Sequence, residues 1–223
     1  MGRRGFTLIE LLVVIAVIML LAALSMPVIT RALRMAEVTQ CGGNLHQTGQ
    51  AFSMYAANNN RYLPTTPRNS TVTVGGAPGH LANYTMADRP LNKYLGETSV
   101  EVFHCPADGG CQDAIFHNLE TFWWGYGNSY VYETFDYMLG DPDNGRSGKR
   151  ITHYTDTASV TFLMGDGCVY GFSVNVQAAG IAPEAAFGEW HDPGMKANVL
   201  FVDGHTAYIQ MRYGESWEGF SWR

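Results

Sequence analysis

Gly5-Phe6-Thr7-Leu8-Ile9-Glu10 runs directly into fourteen uninterrupted apolar residues, LLVVIAVIMLLAAL at positions 11–24. Ahead of it stands a short basic leader, Met1-Gly2-Arg3-Arg4. Apolar residues from 8 to 29 supply about 20 helical positions, which at 1.5 Å each span roughly the 30 Å of a bilayer's hydrocarbon. A lone carboxylate, Glu10, sits near the start of this helix. An acidic side chain at the centre of a membrane span costs roughly 2.5–3.5 kcal/mol on insertion scales. A charge kept at that cost is expected to have a partner.

The order and position of these residues resemble the processing site of type IV prepilins and type II secretion pseudopilins. The resemblance implies cleavage between Gly5 and Phe6 and N-methylation of Phe6, with Glu10 as fifth residue of the mature chain. It also implies an assembly role for Phe6 and Glu10, in which the Glu10 carboxylate pairs with the Phe6 ammonium of a neighbouring subunit. Two opposite charges in a low-dielectric helix bundle offset one another, whereas either alone is penalised. Three plainer readings compete: a secretory signal cleaved near Met26 after Ala23-Leu24-Ser25, a twin-arginine signal at Arg3-Arg4, and a simple membrane anchor. None of the three has a use for Glu10.

The helical pattern continues past the membrane span. Pro27 lies at its far end, where a missing backbone N–H is expected to kink the rod. Ala32, Leu33, Met35, Ala36 and Val38 keep a partial stripe. Gly42-Gly43 then interrupts the pattern, each glycine weakening a helix by about 1 kcal/mol, and predicts a hinge or local melting. Leu45, Thr48, Gly49, Phe52, Met54 and Tyr55 recur at helical spacing and predict an apolar stripe packed on a globular domain. Asn58-Asn59-Asn60 ends it. The chain is thus expected to comprise a leader (1–5), a stem helix (6–58, with 6–29 transmembrane) and a head (59–223).

The head reads as β-rich. Among 223 residues, 25 are glycine, aromatics make up 13% and charged residues only 15%. That balance resembles an extracytoplasmic domain with many turns, large enough for one core. A formal charge of −6 and a pI near 5.6 argue against a nucleic-acid partner. Residues 64–88 read as a long loop with a short strand at 71–74, residues 91–95 as one helical turn, and residues 100–103 as a strand. Asp-Gly pairs between β-rich runs predict two hairpins: 159–164 with 168–172 around Gly165-Asp166-Gly167, and 197–202 with 205–211 around Asp203-Gly204. The fold class is α+β, a long N-terminal helix packed on an antiparallel sheet of at least four strands, the lollipop outline of pilins.

A second resemblance lies in the tail. His191 followed by Ala197-Asn198-Val199-Leu200-Phe201-Val202-Asp203-Gly204 is similar to the C-terminal signature, His-x9-Asp-Gly, of a large bacterial pilin-like family of unknown function. Here eleven residues separate His191 from Asp203, two more than that pattern. Residues 45–51, 55–64 and Phe103-His104-Cys105-Pro106 also look like segments of that family.

Candidate chemistry in the head is sparse. His191, Asp203 and His205 offer base, orienter and acid types, with Ser159 or Ser173 as nominal nucleophiles, but no nucleophile elbow, phosphate loop or HExxH pattern accompanies them. The chain is therefore not expected to be an enzyme or to carry a cofactor, and His191 is expected to hydrogen-bond across the hairpin. Asp141, Asp143 and Asn144 present closely spaced oxygen ligands of the kind calcium prefers, though without the closing glutamate, so a solvated turn is the preferred reading. His104, Cys105, Cys111 and His117 match no standard zinc spacing. In an oxidising envelope a Cys105–Cys111 disulfide is the simpler idea, although with Cys41 and Cys168 the four cysteines allow three pairings. The cluster Phe122-Trp123-Trp124-Gly125-Tyr126, with Trp217, Phe220 and Trp222, suits a core or subunit interface better than a carbohydrate surface.

The resemblance as a whole implies a pilin or pseudopilin held as a single-pass protein in the bacterial inner membrane with its head in the periplasm. Its partners would be membrane lipid, a prepilin peptidase, an inner-membrane assembly platform and other subunits in a homo-oligomeric or mixed filament, in a type IV pilus or type II pseudopilus. The alternative is an exported carbohydrate- or metal-binding envelope domain with an ordinary signal or anchor.

Overall fold

The computed structural model describes residues 7–65, 72, 74–81, 84–96, 99–110, 119–132, 148–167, 190–191 and 196–210. One helix, α1 (Leu8–Asn58), carries the N-terminal quarter of the chain. Two compact units divide it, residues 1–36 and residues 37–223. In the first unit α1 is apolar and solvent-facing, and it is long and apolar enough to cross a membrane. Pro27 sits inside the helix. On either side of it Ser25 Oγ and Thr30 Oγ1 donate to Leu21 O at 2.8 Å and Met26 O at 3.0 Å. Both hydroxyls thus find partners within the helix, which a hydrocarbon environment requires of polar groups.

In the second unit the same helix buries Val38, Cys41, Asn44, Leu45, Thr48, Gly49, Ala51, Phe52 and Ala56. These positions fall on one face at three- and four-residue spacing, as the stripe from Leu45 to Phe52 predicted; Met54 lies on the outer side and stays 42% exposed. Gly42-Gly43 does not interrupt α1. Tertiary packing overrides the propensity deficit of about 1 kcal/mol per glycine, because Cys41, Asn44 and Leu45 on the adjoining turn are all buried. The glycines also permit close approach: a Cβ on Gly42 would lie 3.3 Å from Asn198 Oδ1, and one on Gly49 would meet Leu200 Cδ1 at 2.8 Å. The helix ends as the asparagine run predicted. Asn60 and Arg61 take left-handed conformations, φ 52° and 64°, and the Arg61 N–H donates to Ala56 O at 2.7 Å. Asparagine tolerates that region better than most residues.

The sheet contains four described strands, β1 (Tyr130–Tyr132), β2 (Phe162–Asp166), β3 (Lys196–Phe201) and β4 (Thr206–Gln210), in that spatial order. All neighbours are antiparallel, with Tyr130 opposite Asp166, Gly165 opposite Val199 and Asn198 opposite Tyr208. β1 and β2 are buried at every residue, whereas β4 is half-exposed along its length. β2 lies between β1 and β3, and a central strand covered on both faces loses the polar alternation of a one-sided sheet. Phe52 of α1 packs on Tyr132 of β1 with ring centroids 5.1 Å apart, and the Tyr132 hydroxyl donates to Pro64 O at 3.0 Å.

The β3–β4 hairpin around Asp203-Gly204 is as the sequence predicts. The other predicted turn is not: Gly165 and Asp166 are paired residues inside β2, and Ser159 belongs to an exposed turn ahead of it. The proposed partner strand 168–172 lies outside the described residues. Val100–Phe103 forms a 3-10 turn rather than a strand, burying Val102 and Phe103; such a turn exposes Glu101 while sinking its neighbours, which a four-residue pattern does not distinguish from alternation. Residues 91–95 contain the expected helical turn, α2 (Asn92–Leu95), and a second short helix, α3 (Phe122–Tyr126), follows. Arg89 ties Val72 and Gly75 to α3, its buried guanidinium donating to Val72 O, Gly75 O and Tyr126 O. Burial pushes its pKa down to about 10, so it remains charged at neutral pH.

Candidate functional site

The first candidate is the start of α1. Gly5 and Phe6 lie outside the described residues; Thr7 and Glu10 do not. The Glu10 carboxylate accepts from the Thr7 backbone N–H at 2.8 Å and from Thr7 Oγ1 at 2.7 Å, both on Oε2. In return the Glu10 N–H donates to Thr7 Oγ1 at 3.3 Å. This is a reciprocal capping box, Thr-x-x-Glu, a signal local to the sequence and separate from the charge of Glu10. Two helix-start donors, the Thr7 and Glu10 N–H groups, are thereby satisfied. Beyond the cap, Leu8, Ile9, Leu24 and Met26 each keep 66% or more of their surface. An apolar face that extensive is covered by lipid or by another chain.

The second candidate is a polar centre inside the head. His191 and Asp166 have fully buried side chains, with His191 Nε2 3.1 Å from Asp166 Oδ2. The same Nε2 lies 3.3 Å from Asn198 Nδ2 and 3.6 Å from Cys105 Sγ. Asp166 Oδ2 also accepts the Asn198 backbone N–H at 2.6 Å. Strand pairing places these groups: β2 delivers Asp166, β3 delivers Asn198, and α1 closes the space with Cys41. The Tyr130 hydroxyl, opposite Asp166 on β1, is pushed well above the usual phenol range by burial, with the Asp166 charge adding to it. It stays protonated.

Cys41 and Cys105 form a disulfide, with Cα atoms 5.3 Å apart. The expected Cys105–Cys111 bridge is therefore corrected: Cys105 is taken by the helix, and Cys111 lies outside the described residues. Local loop spacing favoured the short bridge; the docking of α1 on the segment after Phe103 favours the long one.

The C-terminal signature separates into two places. His191 is buried beside Asp166, whereas Asp203 pairs with His205 in the exposed β3–β4 turn, Oδ1 to Nδ1 2.6 Å, with the His205 ring stacked on Phe201. A base–orienter–acid set is thus divided between interior and surface. Asp203 also accepts the His205 N–H at 3.1 Å, and Gly204 supplies a φ of 91°, which is turn chemistry. Sequence reading missed Asp166, hidden as a supposed turn residue, and Asn198, a polar residue inside an apolar strand run. That second anomaly was the available signal. Asp141, Asp143 and Asn144 lie outside the described residues, as do Ser173, His117 and Cys168.

Asp108 anchors the aromatic segment. Its Oδ1 accepts from the N–H groups of Gly110 and Phe122, each at 3.0 Å, and its Oδ2 from Trp123 N–H at 2.8 Å and Ser129 Oγ at 2.7 Å. Phe122 is buried, while Trp124 is 47% exposed and stacks on His80 at 4.6 Å; the aromatic run is therefore only partly core. Burial raises the Asp108 pKa despite these four donors. A raised folded pKa means that its contribution to stability is complete below the unfolded value of about 3.9 and declines as pH rises through the folded value. Asp108→Asn would turn an amide toward the Trp123 and Ser129 donors and is expected to destabilise the head by about 2 kcal/mol. Thermal melts across pH should show the advantage of the parent chain over Asp108→Asn shrinking as pH rises.

Comparison with known proteins bears on the first candidate. Residues 1–26 match the family model of the prokaryotic N-terminal methylation motif. The chain is 36% identical over 87 residues to the type IV wide pilus major component PilA4 of Thermus thermophilus. That alignment covers 34% of this chain and 66% of the relative, just under two thirds of its length. No solved structure matches the chain.

Proposed function

We infer from its type IV prepilin-like character that the chain is a filament subunit, cleaved after Gly5, methylated on Phe6 and polymerised through α1. The observation that carries this reading is Glu10, the one carboxylate between residues 5 and 36 of an exposed apolar helix. Thr7 occupies its Oε2, leaving Oε1 as the acceptor for the Phe6 ammonium of a neighbouring subunit. In the prepilin, residues 6–29 would cross the bacterial inner membrane with the head in the periplasm. A prepilin peptidase removes residues 1–5, and an assembly platform lifts the subunit until the lipid around α1 is replaced by other α1 helices. That exchange keeps the apolar face covered throughout, so extraction from the bilayer need not expose it to water. The pilus component among its relatives favours a pilus over a type II pseudopilus.

Intact mass and N-terminal sequencing of the mature protein test the processing step. A chain beginning at methylated Phe6 is the expected result. A start near Met26 would instead show an ordinary cleaved signal and end the filament reading. Recovery of the chain in sheared extracellular fibres is expected for a pilus, and its confinement to the envelope in a secreting cell would assign it to a pseudopilus.

A further inference from the structure

The polar centre of the head holds more ligand chemistry than a buried hydrogen bond requires. Cys41, Cys105, Asp166 and His191 each offer one donor atom, all four atoms lie within 4.8 Å of one another, and all four residues are buried. They come from four separate places, namely α1, the segment after the 3-10 turn at residues 100–103, β2, and the approach to β3. Two thiolates, an imidazole and a carboxylate are ligand types that zinc takes in tetrahedral sites, with Zn–S near 2.3 Å and Zn–N and Zn–O near 2.0–2.2 Å. Any two ligand atoms in such a site are about 3.3–3.8 Å apart. The 3.6 Å from His191 Nε2 to Cys105 Sγ already matches that spacing, and the 3.1 Å to Asp166 Oδ2 is slightly shorter than it. The main movement needed is the separation of the two sulfurs. A second observation concerns the other atoms of the same two side chains: His191 Nδ1 and Asp166 Oδ1 are buried and have no hydrogen-bond partner among the described residues. Polar atoms left unpaired in an interior are costly, and Asp166 can offer Oδ1 to a cation while Oδ2 keeps the Asn198 N–H.

We propose that Cys41, Cys105, Asp166 and His191 form a zinc site when the Cys41–Cys105 disulfide is reduced, so that the head is latched by either a disulfide or a zinc ion. The two latches exclude each other because they use the same sulfurs. Passage from the first to the second needs a dithiol reductant: thiol–disulfide exchange transfers two electrons to the cysteine pair, and the donor leaves as a disulfide. Each cysteine then loses a proton as zinc takes its thiolate, so two protons are released per ion bound. Because the ligands are buried, the ion enters as the head folds, and binding energy becomes folding energy. A newly made, reduced subunit would then be held in shape by zinc until oxidation replaces the ion. Both states fix α1 to the same place on the head. This goes beyond the absence of metal and cofactor that sequence reading expects.

The test uses the full chain in detergent micelles, refolded with a phosphine reductant in the presence of Co2+ or Zn2+. Reduced protein should bind one equivalent of Co2+ with the near-ultraviolet thiolate-to-cobalt absorption of a two-sulfur site, and oxidised protein should not. Asp166→Asn and His191→Gln should each weaken the affinity by roughly tenfold or more, and a Cys111→Ser/Cys168→Ser chain should keep the absorption. An independent readout needs no substitution: Zn2+ should protect Cys41 and Cys105 of the reduced parent chain from alkylation, mapped by peptide mass. Reduced parent protein without the thiolate–cobalt band would overturn the proposal. So would alkylation of Cys41 and Cys105 at a rate that zinc leaves unchanged, or a band that survives Cys41→Ser/Cys105→Ser.

Discussion

A Glu10→Ala chain is expected to be inserted in the membrane and cleaved after Gly5, yet to be missing from filaments. Removing a carboxylate from a hydrocarbon segment lowers the insertion cost by up to about 3 kcal/mol, so anchoring does not suffer. The local loss is the capping box with Thr7, whose removal costs about 1 kcal/mol and frays at most the first turn of α1. Assembly is different. In a packed bundle of α1 helices the Phe6 ammonium has no water, and without Glu10 it has no counter-charge, a condition worth several kcal/mol per subunit. Immunoblots of membrane and sheared-fibre fractions measure the partition directly. Glu10→Gln separates the two roles, since glutamine can still accept from Thr7 but carries no charge. Exclusion of both variants from fibres supports the ion pair; normal incorporation of Glu10→Ala would sink it, and rescue by Glu10→Gln alone would make capping the operative function.

The second large effect is expected at the disulfide. Cys41 and Cys105 are 64 residues apart in sequence, and cross-linking a loop of that length restricts the unfolded chain by roughly 4 kcal/mol in the chain-entropy treatment. Cys41→Ser should therefore lower the melting temperature of the oxidised head by roughly 8–16 °C, at about 2–4 °C per kcal/mol for a domain of this size. It also places a hydroxyl where a fully buried sulfur stood, which adds to the loss. Non-reducing peptide mapping is the direct check: the peptide containing Cys41 should be joined to that containing Cys105, and should remain so in Cys111→Ser. A Cys105–Cys111 link would refute this pairing. Mechanically the bond matters because α1 is the element through which subunits would be pulled. A covalent tie at Cys41 passes that load to the head without relying on side-chain packing alone.

How much of this was readable beforehand depended on the range of the interaction concerned. The capping box, the helix stop at Asn58-Asn59-Asn60 and the turn at Asp203-Gly204 are made by residues within a few positions of each other, and their spacing states the geometry. Gly42-Gly43 and Gly165-Asp166 carry equally strong local signals, yet the structure departs from both. Neither pair acts locally. Gly42 serves the approach of α1 to Asn198, and Asp166 accepts from a neighbouring strand and faces a histidine 25 positions on. Propensity describes what a segment prefers alone, and packing over long sequence separations can outweigh about 1 kcal/mol of it.

The sequence by itself determined the membrane-length helix, its single charge, the processing motif and the α+β class, because each follows from composition and periodicity along one continuous stretch. Only the tertiary structure decided which cysteine Cys105 meets and that His191 shares a buried centre with Asp166 and Asn198. Those facts depend on bringing α1, β2 and β3 together, and burial then gives a charge or a sulfur its neighbours irrespective of their distance along the chain.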